Sequence, residues 1–348
     1  MRRPSAVRPT ISCRVELGMH FEREIREQPE AWVRIAHSDA AARLAAALEG
    51  EIVLVGSGSS LFAAQLGAIA LRRRGVTAHA VAATEAQGDA KAYQHRVVVA
   101  ISQSGRSSDV LRALDALQPS RAIALTNTTD SPLAARADMT IDIGAGPEEA
   151  IPATKSVSCT IAILLGAASL VAGEHSRDAD VLIQTAQTIG AWLAGSGVDP
   201  VVRASVAIAA RHDVMVLGTD YGAPIAREAA LKFKEATYLH AEGFEAGEFR
   251  HGSAAMIDAS SVVLGIMDRD ALEIVGRPLR EARTSGALRY VIGSTTVDGI
   301  AMLGPAVEDA YNTLGWLVTV QLLALYVARA RGINSDNPRG LTKAIVSE

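Results

Sequence analysis

The stretch "EIVLVGSGSSLFAAQLGAIAL" (51–71) decides the fold. A short apolar run leads into a turn of glycine and serine, and an apolar helical pattern follows the turn. This order of strand, glycine-containing turn and helix predicts one β-α unit of an α/β domain. Because the strand is apolar on successive residues, it predicts a parallel sheet covered by helices on both faces.

Similar units follow along the chain. Apolar runs at 96–105, 121–127 and 138–144 predict three more strands, and 108–117 predicts a helix between two of them. The pattern then starts again, because 213–233, 260–270 and 288–296 correspond to 51–71, 96–109 and 121–129. We therefore predict an α/β fold of two tandem doubly wound parallel sheets, each flavodoxin-like with three αβα layers.

The domain boundaries follow from this repetition. The segment "LAGSGVDP" (193–200) combines glycine, serine and proline, as a linker does. We predict an N-terminal arm at 1–18, a first domain at 19–194 and a second domain at 195–348.

Composition excludes several classes of protein. The 348 residues are 49% hydrophobic and 21% charged, with a net charge of -4, so no nucleic-acid partner is expected. Cys13 and Cys159 are too few for a disulfide framework, and no metal or other cofactor is expected, which fits a reducing cytoplasm. The N-terminus lacks the apolar run of a secretory signal. The apolar run at 160–173 is too short to span a membrane and predicts a buried core helix.

Two serine-rich turns, "GSGSS" (56–60) and "SQSGRSS" (102–108), follow neighbouring predicted strands. Such turns offer backbone N–H groups, hydroxyls and the positive end of a helix to a phosphate. The carboxyl ends of parallel strands meet at one edge of a sheet, so the two turns indicate one phosphorylated small molecule. The plain alternative is that they are ordinary turns. A dinucleotide site is not expected, because Phe62 and Ala63 follow the serines and GxGxxG is incomplete.

A charged stripe lies in the second half. The spacing of Glu228, Lys232 and Glu235 places them on one face of a predicted helix, with Phe233 on roughly the opposite face. This stripe is either a solvated i,i+4 ion pair or part of a site. The pair His251-Gly252 follows it closely.

In the two serine-rich turns, the charged stripe and several further stretches, the chain resembles the tandem sugar-isomerase (SIS) proteins. It is similar to the isomerase half of glutamine-dependent glucosamine-6-phosphate synthase and to its stand-alone deaminase relatives. The resemblance runs from "MHFEREIREQPEAW" (19–32) through "GSGSS", "SQSGRSSD" (102–109) and "ATKS" (153–156) to the tail "PRGLTKAIVSE" (338–348). It implies a phosphorylated sugar or amino sugar as the ligand and a homodimer with a shared active site.

The resemblance also implies roles for single residues. Glu235 matches the base of isomerisation, and Glu228 and Lys232 are its neighbours in the site. His251 matches a ring-opening histidine that reaches in from the neighbouring subunit, and Lys343 matches a tail lysine that forms a Schiff base with the ketose. The positions that match sugar- and phosphate-binding residues are Ser59, Ser60, Ser102, Gln103, Ser104 and Ser107.

These residue types suit the chemistry. A histidine can donate and accept a proton near neutral pH, a carboxylate can move a proton between two carbons, and a lysine can hold a carbonyl as an imine. Without the resemblance, each has a plainer interpretation as a helix-end histidine, a solvated carboxylate or a tail lysine. Lys155 in "ATKS" is interpreted as structural or dimer-forming and is left outside the site.

The chain also departs from the synthase. Ala153 stands where the synthase has a serine of its sugar site, and Arg106 replaces an acid. Met1 is followed by Arg2 rather than by the nucleophilic cysteine of a glutaminase, so glutamine-dependent synthesis is not expected. The predicted function is a cytoplasmic phosphosugar isomerase and deaminase that converts a glucosamine-6-phosphate-like substrate to fructose 6-phosphate and ammonia.

Three alternatives to this function stay open. The first is an ammonia-using glucosamine-6-phosphate synthase, and the second is a plain aldose–ketose isomerase. The third is a non-catalytic phosphosugar sensor, for which residues 1–18 are too short to supply a DNA-binding segment.

Overall fold

The computed structural model of the protein describes residues 16–174, 178–309 and 311–343. Most of the predicted arm at 1–18, together with Cys13 and the last five residues of the tail, lies outside the described residues. Within them, the chain forms two five-stranded sheets in which every pair of neighbouring strands is parallel.

The first sheet has the strand order β2-β1-β3-β4-β5. Its strands are β1 (Ile52–Gly56), β2 (Ala78–Ala82), β3 (Val97–Ile101), β4 (Arg121–Thr126) and β5 (Met139–Asp142). The helices of this half are α1 (Met19–Ala36), α2 (Ala40–Ala47), α3 (Ser59–Arg72), α4 (Ala83–Gly88), α5 (Ala90–Tyr93), α6 (Ser108–Leu117), α7 (Lys155–Val171) and α8 (Asp178–Ala194). Strand β1 lies between β2 and β3, with Ile52 paired to both Ala78 and Val97.

The second sheet repeats this arrangement, with the order β7-β6-β8-β9-β10. Its strands are β6 (Asp213–Gly218), β7 (His240–Glu245), β8 (Ser261–Met267), β9 (Leu288–Gly293) and β10 (Ala301–Leu303). The helices of this half are α9 (Asp199–Ile208), α10 (Gly222–Thr237), α11 (Ala246–Phe249), α12 (Leu272–Glu281) and α13 (Asn312–Arg331). The predicted fold class of two tandem doubly wound parallel sheets is confirmed.

Strands β2, β7 and β10 were not predicted from the sequence. Each lies at an edge of its sheet and carries exposed residues, such as His79 in β2 and His240 in β7. The interior strands β1, β3 and β8 are buried on every residue, and they give the clearest continuous apolar runs of the kind that indicates a strand in a covered sheet.

The hydrophobic core is continuous across both sheets. Its centre includes α7, which confirms the predicted buried helix, and α13. By length and composition α13 could cross a membrane, but 89% of the apolar window is buried inside the protein. The predicted linker at 193–200 falls on the end of α8 and a short 3₁₀ turn, Ser196–Val198, and the domain boundaries stay a prediction.

The tail after α13 returns to the start of α1. The carboxylate of Asp336 accepts hydrogen bonds from the backbone N–H groups of His20 and Phe21, at 3.2 and 2.7 Å. The side chain of Asn334 accepts a further bond from the N–H of Gly18 at 3.1 Å. The tail thus caps the first turn of α1, whose N–H groups have no partners within the helix.

Candidate active site

A cleft of about 350 Å³ opens at the carboxyl ends of β1 and β3. At this point the first sheet changes direction of winding, which is where ligands bind in open α/β sheets. The cleft is lined by the turns after β1 and β3, the start of α6, the segment 148–153, helix α10 and the tail segment 340–343. Both halves of the chain therefore contribute to one site.

The turn after β1 brings the backbone close to the cleft. Gly58 has φ 55° and ψ -130°, a conformation that residues with a side chain rarely adopt. Helix α3 begins directly afterwards at Ser59, so its positive end and the hydroxyls of Ser59 and Ser60 are placed at the cleft.

The turn after β3 is shaped by Gly105, at φ 62°, where a Cβ atom would lie 2.0 Å from the hydroxyl oxygen of Ser131. The N–H of Gly105 donates to the carbonyl of Ser102 at 3.1 Å, and the hydroxyl of Ser104 accepts from the N–H of Arg106 at 3.2 Å. The side chains of Ser102, Gln103, Ser104 and Ser107 line the cleft next to the start of α6. This concentration of hydroxyls beside two helix N-termini suits a phosphate.

Helix α10 brings a buried cation to the opposite side. The side chain of Lys232 is completely buried, and its Nζ lies 2.5 Å from Glu235 Oε2 and 3.4 Å from Glu228 Oε1. The hydroxyl of Ser59 donates to Glu228 Oε1 at 3.1 Å. The alternative of a solvated ion pair is therefore wrong, because only Glu235 keeps some exposure, at 19%.

The protonation of this cluster is set by burial and by its own charges. Burial raises the pKa of Glu228 to about 7, with the Lys232 ammonium acting against the shift and the Glu235 carboxylate adding to it. Burial disfavours the ammonium of Lys232, but the two carboxylates outweigh it and raise the pKa of the lysine above its usual value. Lys232 is thus held as a cation while Glu228 exchanges a proton near neutral pH.

We expect this proton to appear in the pH dependence of stability. Folded Glu228 keeps its proton to about pH 7, while the ordinary glutamate pKa is 4.5. Its contribution is therefore complete below pH 4.5 and is lost as the pH rises through 7. Between pH 5 and pH 8 the wild type should lose about 2–3 kcal/mol of unfolding free energy relative to Glu228→Gln.

Urea unfolding of both proteins at the two pH values measures this difference. Glu273→Gln, at a residue 86% exposed on α12, is the control and should follow the wild type. Parallel pH dependences of the wild type and Glu228→Gln would contradict the raised pKa.

The tail supplies a second lysine. Lys343 Nζ donates to Glu148 Oε2 at 3.0 Å and to the carbonyl oxygen of Ala150. The buried carboxylate of Glu148 also accepts bonds at 2.8–3.0 Å from the N–H and hydroxyl groups of Thr154 and Ser156, at the start of α7. Burial acts to raise the pKa of this carboxyl, but the Lys343 ammonium and the donors of Ser156 and Thr154 hold it below its usual value.

Glu148 was not predicted from the sequence. The available signal was the acidic pair in "PEEA" (147–150), shortly before the predicted core helix. Acidic residues near a helix start are common, so that signal alone did not indicate a site.

The structure places most of the predicted site residues together. Those that line the cleft are Ser59, Ser60, Ser102, Gln103, Ser104, Ser107, Lys232, Glu235 and Lys343. Glu228 lies behind them, joined to Ser59 and Lys232. Ala153 also lines the cleft, whereas Lys155 does not; its Nζ binds Glu27 and the carbonyl of Pro147 at 2.5 and 2.6 Å.

His251 lies outside this cleft. It is exposed in the single chain, in the turn after α11, with its N–H donating to the carbonyl of Glu248 at 2.9 Å. Its role in a neighbouring subunit's site stays a prediction. Among the described residues, no group of three or more histidine, cysteine or acidic side chains is arranged to hold a metal ion.

The fold and site together define the class of this protein. Two doubly wound sheets share one cleft, with hydroxyl-rich turns on one side and a buried carboxylate–ammonium cluster on the other. The sequence pattern of the SIS domain matches residues 47–170 and 207–301, which together make up more than half of the chain. The chain therefore belongs to the SIS domain family.

Known proteins agree with this assignment. The chain is 32% identical over 360 residues to a glutamine–fructose-6-phosphate aminotransferase of Aeropyrum pernix, covering 94% of this chain and 57% of that protein. It shares its fold with glucosamine-6-phosphate deaminase of Thermotoga maritima (TM-score 0.77, 22% identity, 94% of this chain and 100% of the other). It also shares its fold with tagatose-6-phosphate ketose/aldose isomerase of Escherichia coli (TM-score 0.79, 20% identity, covering 96% of this chain and 98% of the other). The chain spans only about half the length of the curated relatives it matches.

Proposed function

We propose that this protein is a phosphosugar isomerase and deaminase that converts an amino-sugar phosphate of the glucosamine 6-phosphate type to fructose 6-phosphate and ammonia. The observation that carries the proposal is the meeting, in one cleft, of two serine-rich turns with Glu235, Lys232 and Lys343. The turns suit the phosphate, and the three charged side chains suit proton transfer and carbonyl chemistry at the other end of the sugar.

Binding comes first. The phosphate accepts hydrogen bonds from the hydroxyls of Ser102, Ser104 and Ser107 and faces the N-terminus of α6, so no basic side chain is needed to hold it. The cleft volume of about 350 Å³ lies in the range of pockets that enclose a small molecule. The sugar carbons then extend towards α10 and the tail.

The isomerisation moves one proton between two carbons. After the ring opens, the carboxylate of Glu235 takes the proton from C2 of the aldehyde and returns it to C1, while one proton of the C2 amine passes to the C1 oxygen. The product carries a hydroxyl at C1 and an imine at C2. The ammonium of Lys232, held beside Glu235, stabilises the negative charge that develops on the C1 oxygen. No electrons are exchanged with another molecule.

Loss of ammonia follows from the imine. The amine of Lys343 adds to C2 and ammonia leaves, so that the lysine holds the sugar as a new imine; water then releases fructose 6-phosphate and restores the amine. For this step Lys343 must give up a proton and react as the free amine.

A panel of phosphorylated sugars tests the proposed function. Glucosamine 6-phosphate, galactosamine 6-phosphate and the plain aldose phosphate glucose 6-phosphate are assayed for ammonia and for the ketose phosphate, with unphosphorylated glucosamine as the matched control. Equal amounts of both products support the deaminase. Isomerisation of an aldose phosphate without ammonia release favours a plain isomerase, and binding without turnover favours a sensor.

A synthase that uses ammonia is the second candidate. The curated relatives are named as aminotransferases, which form the amino sugar rather than break it down. The same residues would run the reaction in reverse, with the imine of Lys343 attacked by ammonia. Incubation with fructose 6-phosphate and an ammonium salt distinguishes this direction through formation of the amino sugar.

We predict that Ser102→Ala and Ser104→Ala weaken binding of the phosphate. Each removes a hydroxyl donor to a charged group, a bond with a value of about 1.5–3 kcal/mol, so KM for the phosphorylated sugar should rise about 10- to 100-fold. Ser108→Ala is the control, because Ser108 begins α6 but does not line the cleft. Calorimetry in which the unphosphorylated sugar binds as tightly as its phosphate would refute this assignment of the turns.

A further inference from the structure

The proposed reaction leaves one buried acid without a role. Glu24 lies on α1 and its side chain is completely buried. Its Oε1 accepts hydrogen bonds from the backbone N–H groups of Glu149 and Ala150, the latter at 3.2 Å. Its Oε2 lies 3.5 Å from the hydroxyl oxygen of Thr154. Through these contacts Glu24 fixes the position of the segment 149–154.

The two acceptors of the tail lysine are Glu148, directly before that segment, and Ala150 within it. Lys343 Nζ donates to the carboxylate of Glu148 and to the carbonyl of Ala150. Glu24 holds the N–H of Ala150 while Lys343 binds the carbonyl of the same residue. A shift of this short segment would therefore move the amine of Lys343.

Helix α1 also binds the tail at Asp336, which precedes Lys343 in the chain. Its first-turn N–H groups bind the carboxylate of Asp336, and the carbonyl of Asp336 accepts a bond from the N–H of Ile151 at 3.1 Å. The helix therefore contacts the tail in its first turn and, through Glu24 about one turn later, the backbone of Glu149 and Ala150. Because one rigid helix makes both contacts, it fixes the distance between Asp336 in the tail and the backbone of Glu149 and Ala150.

We propose that Glu24 is a positioning residue for Lys343: it fixes the segment 148–150, whose Glu148 carboxylate and Ala150 carbonyl hold the Lys343 amine in the cleft. The inference rests on the proposed function only in that Lys343 is there the amine that reacts with the sugar. Glu24 does not line the cleft.

Two substitutions separate positioning from charge. Glu24→Ala removes the acceptor of both N–H groups and frees the segment. Glu24→Gln keeps an oxygen for these two N–H groups and should recover most of the wild-type behaviour. In Glu24→Ala we expect kcat to fall about tenfold while KM stays within about twofold, because the serine turns lie on other elements.

The decisive readout is the reactivity of Lys343 itself. Limited acetylation with acetic anhydride, followed by mass spectrometry, gives the rate at each lysine, with exposed Lys91 as the internal reference. The Lys343 rate should rise about threefold or more in Glu24→Ala and stay near wild type in Glu24→Gln, since a lysine released from two acceptors is a freer nucleophile. An unchanged Lys343 rate in folded Glu24→Ala overturns the proposal.

Controls address folding. Glu27→Ala, on the same helix, removes the partner of Lys155 instead and should leave the Lys343 rate unchanged. A rise at all lysines in Glu24→Ala, including buried Lys155, would show general loosening and would also overturn the proposal.

If Glu24→Ala does not fold, Glu24→Asp retracts the carboxylate by one methylene and is measured in its place, with the same rise expected at Lys343. The labelling needs no substrate, so a wild type that turns over no phosphosugar would refute the proposed function and leave this test intact.

Discussion

Glu235→Gln is expected to lower turnover of the phosphosugar by about 10²–10⁴-fold while KM changes by no more than a few fold. Glutamine keeps the shape of the side chain and can still contact Lys232, but it cannot take a proton from carbon. Glu235 is suited to this task because it lines the cleft and its Oε2 lies 2.5 Å from a buried ammonium that is available to the developing oxyanion. Steady-state kinetics of the purified variant measures the effect.

Exchange of hydrogen with solvent provides an independent check on the base. A carboxylate that carries the proton between C2 and C1 exchanges some of it with water, so the product formed in D₂O should contain deuterium at C1. Glu235→Gln should lose this incorporation along with turnover. Glu273→Gln, at an exposed position on α12, should behave as wild type. Turnover of Glu235→Gln equal to wild type would remove Glu235 from the mechanism.

Mixing inactive Glu235→Gln with inactive His251→Ala is expected to restore about a quarter of wild-type activity, if His251 serves the site of the neighbouring subunit. His251 is exposed and lies outside the cleft of its own chain. In a two-fold dimer, each patch meets its own copy, and two sites would each take one histidine from the partner. A mixed dimer then holds one site with both residues intact and one with neither, and random exchange makes about half of all dimers mixed.

The opposite result has an equally clear meaning. If both residues act within one chain, no mixed dimer has an intact site and activity stays at the level of the two variants. Subunits carrying different affinity tags establish that exchange has occurred. With exchange established, unrestored activity would reject the shared site and leave His251 as a catalyst in its own chain.

The strands that are buried along their whole length could be predicted from the sequence. Strands such as β3 and β8 are apolar throughout because helices cover both faces and neighbouring strands lie on both sides. Edge strand β7, "HAEGFE", mixes polar and apolar residues, and Ala241 is the one residue of the strand that is buried. Its pattern is therefore shared with ordinary surface loops.

Site residues could be predicted where they lie close to one another in the sequence. The serine turns and the stripe of Glu228, Lys232 and Glu235 are visible in spacing alone. Their burial was not, because the same i,i+4 pattern is typical of solvated helices. Glu148 and Glu24 were missed because their partners are distant in sequence: Lys343 lies 195 residues from Glu148, and Glu149 lies 125 residues from Glu24.

The capping of α1 by the tail has a consequence for synthesis of the protein. The N–H of Gly18 meets its partner Asn334 only after 316 further residues have been made. A nascent chain released by the ribosome before that point leaves the first turn of α1 uncapped and the cleft without Lys343. Such a fragment would be easier for a protease to open, because α1 is capped only in a chain that extends through Asn334 and Asp336.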